Sequence, residues 1–336
     1  MARRGRRVEG ERHLLGVLYA ALGAFTFALN NVAMRRGVVT GSVLQGMAMT
    51  VPIGGLSFLA MTAAFGELGQ LAAFPAVAIA WLAGQGVVHF VFGRYCNYKS
   101  NQLVGVNLSA PVVQLQVAVA MVLAVATLHE KFTVLQAIGS ALMLGGSFVT
   151  QTKIGKSREK TSFQPHIVAG YLFAFGAAVC YGSSPLMARQ AFLSAPGSAT
   201  AAAGCFAYAA ATLCFSLVLL KPGSWADIKA MSRANVPWFL SSAVLVAISQ
   251  AFVYASLAVA PLMVVTPILQ LSLVFRLFLS QCINRDYEVM NTAVIAGALT
   301  AVLGSILVSL PTDELAKVLG LSPTIADFLR YRLAGG

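Results

Sequence analysis

The chain has 336 residues, of which 58% are hydrophobic and only 10% charged, and its mean hydropathy is +0.78. A soluble domain carries about 25% charged residues, so this chain has too few charges to cover a water-exposed surface. Its net charge of +12 is not gathered on a basic face with interleaved aromatic residues, which argues against nucleic-acid binding. The basic residues are better placed as anchors for anionic lipid headgroups.

The chain begins with a basic stretch that runs into an apolar segment at about 14–34, as a signal peptide does. That segment is too long for a cleaved leader, and many more apolar segments follow. We therefore expect an uncleaved first helix behind a basic cytoplasmic tail, residues 1–13. The basic residues of this tail are Arg3, Arg4, Arg6, Arg7 and Arg12.

Ten apolar segments are long enough to cross a bilayer, which takes about 20 residues as a helix. They lack the ten-residue alternation of a membrane β-barrel, so helices are the remaining way to satisfy the backbone in lipid. The sequence predicts an all-α integral membrane bundle of ten transmembrane helices. The predicted spans lie near 14–34, 43–65, 75–96, 102–127, 133–151, 167–189, 198–220, 236–259, 261–283 and 290–310.

The two halves of the chain resemble each other, which predicts two five-helix repeats at 14–151 and 167–310, joined by a polar linker at 152–166. Five is an odd number, so the second copy enters the membrane from the opposite side, as in the inverted repeats of transporters. The matched residues are His13 and His166, Gly23 and Gly176, Met34 and Met187, and Arg36 and Arg189 at an offset of 153; Pro111 and Pro267, Gln114 and Gln270, and Leu115 and Leu271 at 156; Glu130 and Glu288, Gly139 and Gly297, Gly146 and Gly304, and Ser147 and Ser305 at 158.

The remaining segments give less information. The tail at 311–336 is too polar to span, but Ser322-Pro323 resembles a helix start and predicts a short interfacial helix.

Lysines and arginines are divided almost evenly between the two sides, so the N-terminal arginines decide the orientation and place both termini in the cytoplasm. The five cysteines show no C-x-x-C pair, so we expect neither a metal site nor a cofactor.

The pattern of a proline-bearing fourth helix, a glutamate and a G-x₆-G fifth helix occurs in both halves. It resembles the EamA-type transporters of the drug/metabolite transporter superfamily, over residues 14–310. The resemblance implies a bacterial inner-membrane carrier, often an exporter of amino acids or other metabolites, with a cavity lined by helices one, three, four, six, eight and nine. The residues that carry it are Pro111, Glu130, Gly139, Gly146, Pro267, Glu288, Gly297 and Gly304.

Polar side chains at membrane depth are unfavourable unless they meet a partner or a wet cavity. They are therefore the candidates for substrate binding, and interhelical hydrogen bonding is the alternative for each. Residues 181–185, Tyr-Gly-Ser-Ser-Pro, predict a kink or a broken turn in the sixth helix. The candidate residues are Asn30, Asn31, Gln85, His89, Asn107, Gln114, Tyr181, Ser184, Gln250, Tyr254, Gln270 and Arg276.

Two kinds of residue have structural interpretations that compete with binding. Gln114 and Gln270 each follow a proline by three residues, so they could bond the carbonyls that the prolines leave free, or contact substrate. Glu130 and Glu288 lie at helix boundaries, where a carboxylate complements a helix N-terminus. Arg94 lies near the end of the third predicted span, where its side chain could reach the interface.

Arg276 has no acidic residue within any predicted span as a partner, and its position is uncharged in the first repeat. It either reaches a water-filled vestibule or meets an anionic group of the substrate. Proton-coupled exporters of cations commonly need a carboxylate inside the membrane. We therefore expect a neutral, zwitterionic or anionic substrate, with coupling, if any, that does not use such a carboxylate.

The sequence thus predicts an exporter of a small metabolite, working by alternating access, with the lipid bilayer and a small-molecule substrate as its partners. Oligomeric state is open, and a homodimer is one arrangement the sequence permits. A membrane-embedded enzyme is the alternative, but His89 stands alone in the spans and no metal-ligand spacing occurs. A non-transporting scaffold is a further alternative, but a scaffold does not require an inverted repeat, whereas a transporter does.

Overall fold

The structure is a computed structural model that describes residues 2–128, 132–152, 166–195, 199–259, 268–288, 290–309 and 312–334. Helices make up nearly all of it. They are α1 (Ala2–Thr40), α2 (Val43–Ala64), α3 (Ala76–Gly86), α4 (Arg94–Val104), α5 (Val106–Val113), α6 (Gln116–Leu128), α7 (Val134–Thr152), α8 (Ile167–Ser194), α9 (Thr200–Val218), α10 (Ser224–Lys229), α11 (Val236–Val259), α12 (Ser272–Ile283), α13 (Thr292–Ser309), α14 (Thr312–Val318) and α15 (Pro323–Arg330).

Within the described residues, six helical segments are long and apolar enough to cross a membrane, which establishes a multi-pass membrane protein. They are 15–40, 43–64, 76–104, 167–194, 201–218 and 236–253. Four shorter apolar helices lie at 106–120, 134–146, 272–283 and 292–307. Large apolar side chains remain exposed along these helices, for example Leu172 and Leu213, as a hydrocarbon surrounding permits.

The boundary between the third and fourth predicted spans differs from the sequence-based expectation. The third span does not end at 96 but continues to Val104, and the fourth begins at Val106 rather than 102. Gly105 separates them with φ 86° and ψ 163°, a conformation essentially restricted to glycine. Hydropathy does not locate the true end of the third span, because the asparagines that precede Gly105 are polar but buried inside the protein.

The fourth span is interrupted after Pro111. A proline removes one helical hydrogen bond, and the following turn is tightened because Leu115 N donates to Val112 O and Val117 N donates to Gln114 O. The same pattern recurs before α12. There, Leu271 N donates to Ile268 O and Leu273 N donates to Gln270 O. Pro267 lies outside the described residues.

Glycines let helices from the two halves approach closely, as is common in membrane proteins. A Cβ on Gly54 would overlap the ring of Tyr208, and a Cβ on Gly204 would overlap the ring of Phe58. These contacts bring α2 and α9 together. The α7–α13 pair is equally tight, because a Cβ on Gly146 would lie 2.5 Å from Gly297 O and one on Gly304 would lie 2.5 Å from Gly139 O.

Hydrogen bonds between loops define two ends of the bundle. At the first end, which we define by residues 40–42, 103–105, 227–235 and 284–288, Ser42 Oγ donates to Asp227 Oδ2 over 2.5 Å and Thr40 Oγ1 donates to Asn235 Oδ1 over 2.8 Å. At the second end, defined by residues 68–73, 132–133, 195, 199 and 332–334, Ala199 N donates to Gln70 Oε1 over 3.2 Å.

A fully buried ion pair holds three chain segments together at the first end. Arg35 Nε lies 3.2 Å from Glu288 Oε1, and its other nitrogens donate to the carbonyls of Asn101, Gln102 and Tyr287. Glu288 accepts hydrogen bonds from Val106 N over 2.9 Å and Asn107 N over 3.0 Å. The carboxylate therefore complements a helix N-terminus, as the sequence predicts, although the helix is α5. Glu130 lies outside the described residues.

The C-terminal tail returns to the second end. Helix α15 begins after Ser322, with proline at its first position, which matches the predicted helix start. Strand β2 (Arg332–Ala334) then pairs antiparallel with strand β1 (Phe132–Thr133). The sequence does not predict this two-stranded contact, which ties the tail to the loop before α7.

Gly105 offers a direct test of the first end. We expect Gly105→Ala to lower the free energy of unfolding by about 1–3 kcal/mol for the backbone conformation alone. Its Cβ would also lie 2.6 Å from Glu288 Oε2. Thermal unfolding of the purified protein in detergent measures the effect.

The matched control is Gly69→Ala, because a Cβ on Gly69 meets no atom within 4 Å. Equal unfolding temperatures for the two variants would contradict the role of Gly105.

Candidate functional site

A cavity of about 260 Å³ lies inside the bundle, close to the lower end of the range of roughly 300–1,000 Å³ typical of small-ligand sites. Its walls come from predicted spans one, three, four, six, eight and nine, the same six that the family resemblance implies. The lining residues are Gly23, Ala24, Phe27, Asn30, His89, Arg94, Asn97, Tyr98, Gln114, Gln116, Tyr181, Val246, Ser249, Gln250, Val253, Leu269, Gln270, Ser272 and Arg276.

The structure brings seven of the twelve candidate residues to this cavity. They are Asn30, His89, Gln114, Tyr181, Gln250, Gln270 and Arg276. Four others, Asn31, Gln85, Asn107 and Ser184, are buried beside it and do not line it. The side chain of Tyr254 lies outside the described part of the structure.

Ser184 connects two side chains of the third span. Gln85 Nε2 donates to Ser184 Oγ over 3.0 Å, and His89 Nδ1 lies 2.9 Å from the same oxygen. The prediction that Gln85 and His89 share a face is therefore correct, and that face packs on α8. Helix α8 is continuous from Ile167 to Ser194, which excludes the broken turn at 181–185 and leaves the kink, its alternative, as a prediction.

His89 lies in a π-helical segment, Val87–Gly93, between α3 and α4. The wider turn is visible in the hydrogen bond from Arg94 N to His89 O, five residues back. Single π-helical turns occur frequently at functional sites. This segment is packed tightly, since a Cβ on Gly93 would lie 2.8 Å from the Tyr181 ring. The π-helical segment therefore lies directly against Tyr181, and both His89 and Tyr181 line the cavity.

The asparagines mainly tie helices together. Asn31 Oδ1 accepts hydrogen bonds from Asn97 Nδ2 over 3.2 Å and from Asn101 Nδ2 over 3.4 Å, which fixes α1 to α4. Asn107 Oδ1 accepts from Ser280 Oγ over 2.8 Å. For Asn31 and Asn107 the hydrogen-bonding alternative therefore describes the structure, because neither side chain lines the cavity.

Gln114 and Gln270 form a pair across the cavity wall. Gln114 Nε2 donates to Gln270 Oε1, and it also lies 3.5 Å from Ser305 Oγ. Gln114 thus bonds Gln270 and not the carbonyl freed by Pro111, whereas the carbonyl freed by Pro267 lies outside the described residues, so that expectation stays a prediction for Gln270. Buried amides satisfy each other more fully when they pair, because one supplies the donor and the other the acceptor. The pair joins the interruptions of the fourth and ninth predicted spans.

Arg94 belongs to the site, although the sequence-based interpretation placed it at the interface. Its side chain is buried, with 4% exposed. Its Nη1 donates to Thr50 O and its Nη2 to Tyr208 Oη, each over 3.0 Å. The error follows from the boundary at 96, because the helix continues for another turn and more. With its true end at Val104, Arg94, Asn97 and Tyr98 would have been recognised as mid-span residues.

Arg276 is the most unusual residue of the wall. It is 6% exposed, and its guanidinium carbon lies 5.0 Å from the centre of the Phe27 ring. Its Nε has no hydrogen-bond partner. Among the described residues, no carboxylate forms an ion pair with it, whereas the equally buried Arg35 is paired with Glu288.

The described lining residues include hydrogen-bonding groups and two arginines but no Asp or Glu. No group of three or more His, Cys, Asp or Glu side chains in the described residues could hold a metal ion. This set of groups can bind a polar or anionic molecule, whereas it offers a cation no carboxylate.

Comparisons with known proteins agree with the fold. Residues 14–152 match the EamA-like transporter family, which confirms the resemblance for the first half of the chain. One similar solved structure, titled "Crystal structure of protein", is 16% identical with a TM-score of 0.53. The alignment covers 92% of this chain and 99% of that one, so the two share a fold. A search of curated proteins finds no match.

The glutamine pair can be tested with a double-mutant cycle. We expect Gln114→Leu and Gln270→Leu each to destabilise the protein by about 1–3 kcal/mol, because each leaves one buried amide unsatisfied. The double variant removes both groups, so its loss should fall short of the sum by about 0.5–3 kcal/mol. Chemical unfolding in detergent measures all three.

The control cycle combines Gln114→Leu with Gln45→Leu, since Gln45 bonds Asp227 at the first end of the bundle. That pair should be additive. Additivity of the Gln114 and Gln270 changes would refute the pairing.

Proposed function

We propose that this multi-pass membrane protein, whose residues 14–152 match the EamA-like transporter family, exports a small metabolite by alternating access. The metabolite is neutral, zwitterionic or anionic, such as an amino acid. The observation that carries the proposal is the cavity of about 260 Å³ inside the bundle, whose walls carry polar side chains from both halves of the chain. Transporters place their substrate site at the interface of two repeats, near the middle of the membrane.

Reciprocal contacts support a twofold relation between the halves. Gly54 packs on Tyr208, and Gly204 packs on Phe58. Gly204 lies 150 residues after Gly54, and Tyr208 lies 150 residues after Phe58. A twofold axis between α2 and α9 would relate the two contacts in this way, because it makes each half present the same residues to the other.

The α7–α13 contact has the same property. Gly146 approaches Gly297, and Gly304 approaches Gly139, at the offset of 158 found in the sequence. The paired glutamines, Gln114 and Gln270, contact each other directly, as equivalent residues do beside a twofold axis.

The loops support opposite insertion of the two halves. The loop after α1 lies at the first end, whereas the equivalent loop after α8 lies at the second, where Ala199 bonds Gln70. The loop after α2 lies at the second end, whereas the loop after α9 lies at the first, where Asp227 bonds Ser42. This arrangement agrees with five-helix repeats at 14–151 and 167–310, with α5 and α6 together forming one of ten spans.

Alternating access requires that one end of the cavity be closed while the other opens. The Arg35–Glu288 pair is suited to closing the first end, because it joins the end of α1, the start of α5 and the segment before α13. Removing one partner would leave the other charge buried and unpaired, at a cost of about 3–5 kcal/mol, so the closed end requires both residues. With the basic N-terminus in the cytoplasm of a bacterial cell, the first end would face away from the cytoplasm.

Cysteine labelling tests the inverted arrangement. In a variant without the five native cysteines, we introduce Gly69→Cys in the loop after α2 or Lys221→Cys in the loop after α9, both at exposed positions. On intact cells, a membrane-impermeant maleimide should label only the Lys221→Cys variant, and the Gly69→Cys variant should react after permeabilisation. Labelling of both positions from the same side would contradict the inverted repeat.

Counterflow in proteoliposomes tests transport itself. We expect vesicles loaded with an unlabelled mixture of amino acids to accumulate the radiolabelled mixture transiently and saturably, compared with liposomes that contain no protein. Imposing a pH gradient on vesicles supplied with organic cations should give no accumulation, because the described lining residues lack a carboxylate. Robust proton-driven transport of those cations would overturn the proposed substrate class.

A further inference from the structure

We propose that Arg276 is the binding residue for the anionic group of the substrate, and that the cavity takes a small organic anion with one carboxylate and an aliphatic body. The inference rests on the proposed function, because it narrows the class of substrate that the same cavity carries. It goes beyond the family resemblance, in which Arg276 is a departure from the repeated pattern.

The first step is the state of the Arg276 guanidinium. It is buried, it faces the cavity, and Nε lacks a hydrogen-bond partner. Buried charges in proteins are paired, because leaving water is unfavourable for an ion that gains no partner. Within the described chain no carboxylate supplies that partner. An anion entering the cavity would supply it.

The second step is the geometry that holds the guanidinium. Its carbon lies 5.0 Å from the centre of the Phe27 ring, within the range of a cation–π contact. This contact holds the guanidinium against the ring of Phe27. A guanidinium held in this way can bind a carboxylate through two parallel N–H donors.

The third step is the field from the other arginine of the cavity. Arg94 donates from Nη1 to Thr50 O and from Nη2 to Tyr208 Oη, and its charge remains uncompensated by any described carboxylate. Two positive charges in one buried cavity favour an anion and disfavour an ammonium group. His89 and the glutamines add polar groups but no negative charge.

The fourth step concerns the rest of the ligand. Five of the lining residues are apolar, namely Ala24, Phe27, Val246, Val253 and Leu269. These side chains would contact an aliphatic chain while the carboxylate binds Arg276. An α-amino acid would place its ammonium group beside the same arginine, with only neutral oxygens to receive it.

Binding to the purified protein tests the assignment with four probes of matched size. They are 4-methylpentanoate, leucine, 4-methylpentanamide and 3-methylbutylamine, which present a carboxylate, a zwitterion, a neutral amide and a cation. Each is titrated while the unfolding temperature is measured, since a ligand of the folded state raises it. We expect 4-methylpentanoate to bind most tightly, leucine more weakly, and the amide and the amine not to bind.

Three variants locate the interaction. Arg276→Gln should weaken 4-methylpentanoate binding about 10- to 100-fold, as the loss of a charged hydrogen bond does. Arg276→Lys should retain part of it, because the charge remains without the planar fork. The control is Arg285→Gln, which removes an exposed arginine outside the cavity and should leave binding unchanged.

The ligand-free unfolding temperature shows that the variant folds. Because Arg276→Gln removes an unpaired buried charge, its unfolding temperature should equal or exceed that of the parent protein. Binding of the amide or amine as tight as that of the carboxylate would overturn the proposal, as would leucine binding more tightly than 4-methylpentanoate. Carboxylate binding unchanged by Arg276→Gln would also overturn it.

These outcomes are separable from those of the transport experiments. If Arg276→Gln leaves counterflow unchanged, the protein is a carrier, but Arg276 is not its anion-binding residue. Arg276-dependent binding of 4-methylpentanoate without counterflow of radiolabelled 4-methylpentanoate in the same proteoliposomes would support the anion site and contradict the carrier function.

Discussion

Hydrocarbon offers no hydrogen bonds, so every polar group inside this bundle must find its partner within the protein or in an internal cavity. That constraint explains where the interhelical contacts occur. Asn31 accepts from Asn97 and Asn101, Ser184 bonds Gln85 and His89, and Gln114 bonds Gln270. Each contact joins helices that are distant in sequence. The polar side chains therefore determine which helices meet, and the glycine contacts determine how closely.

The two buried arginines 35 and 276 show the constraint satisfied in different ways. Arg35 is surrounded by a carboxylate and three carbonyls, so its charge serves to join chain segments. Arg276 has an aromatic ring beside it and a cavity in front of it. A fold that can bury Arg35 so completely has no structural need to leave Arg276 without a carboxylate. The difference points to a role for Arg276 that depends on a molecule from outside.

Much of the fold could be predicted from the sequence because composition and periodicity report on the solvent around a helix. The apolar segments and the repeat offsets follow from such patterns, whereas the six spans around the cavity follow from the resemblance to the EamA-type transporters. The end of the third span could not be predicted because Asn97, Ser100 and Asn101 are polar yet buried, so hydropathy assigns them to a loop. The Gln114–Gln270 bond could not be predicted because it depends on the distance between two helices, which the sequence of either one does not contain.

The π-helical turn at Val87–Gly93 has a consequence for the third span as a whole. The hydrogen bond of this turn joins residues five apart rather than four. The helix after the turn is therefore rotated about its axis relative to a regular continuation of the helix before it. Gln85 and His89 face α8, while Asn97 and Asn101 face α1. The third span therefore contacts two neighbouring helices on different sides, at an angle that the wider turn changes from that of a regular α-helix. Deleting one residue between 87 and 93 would restore regular winding and rotate one set of contacts away from its partner.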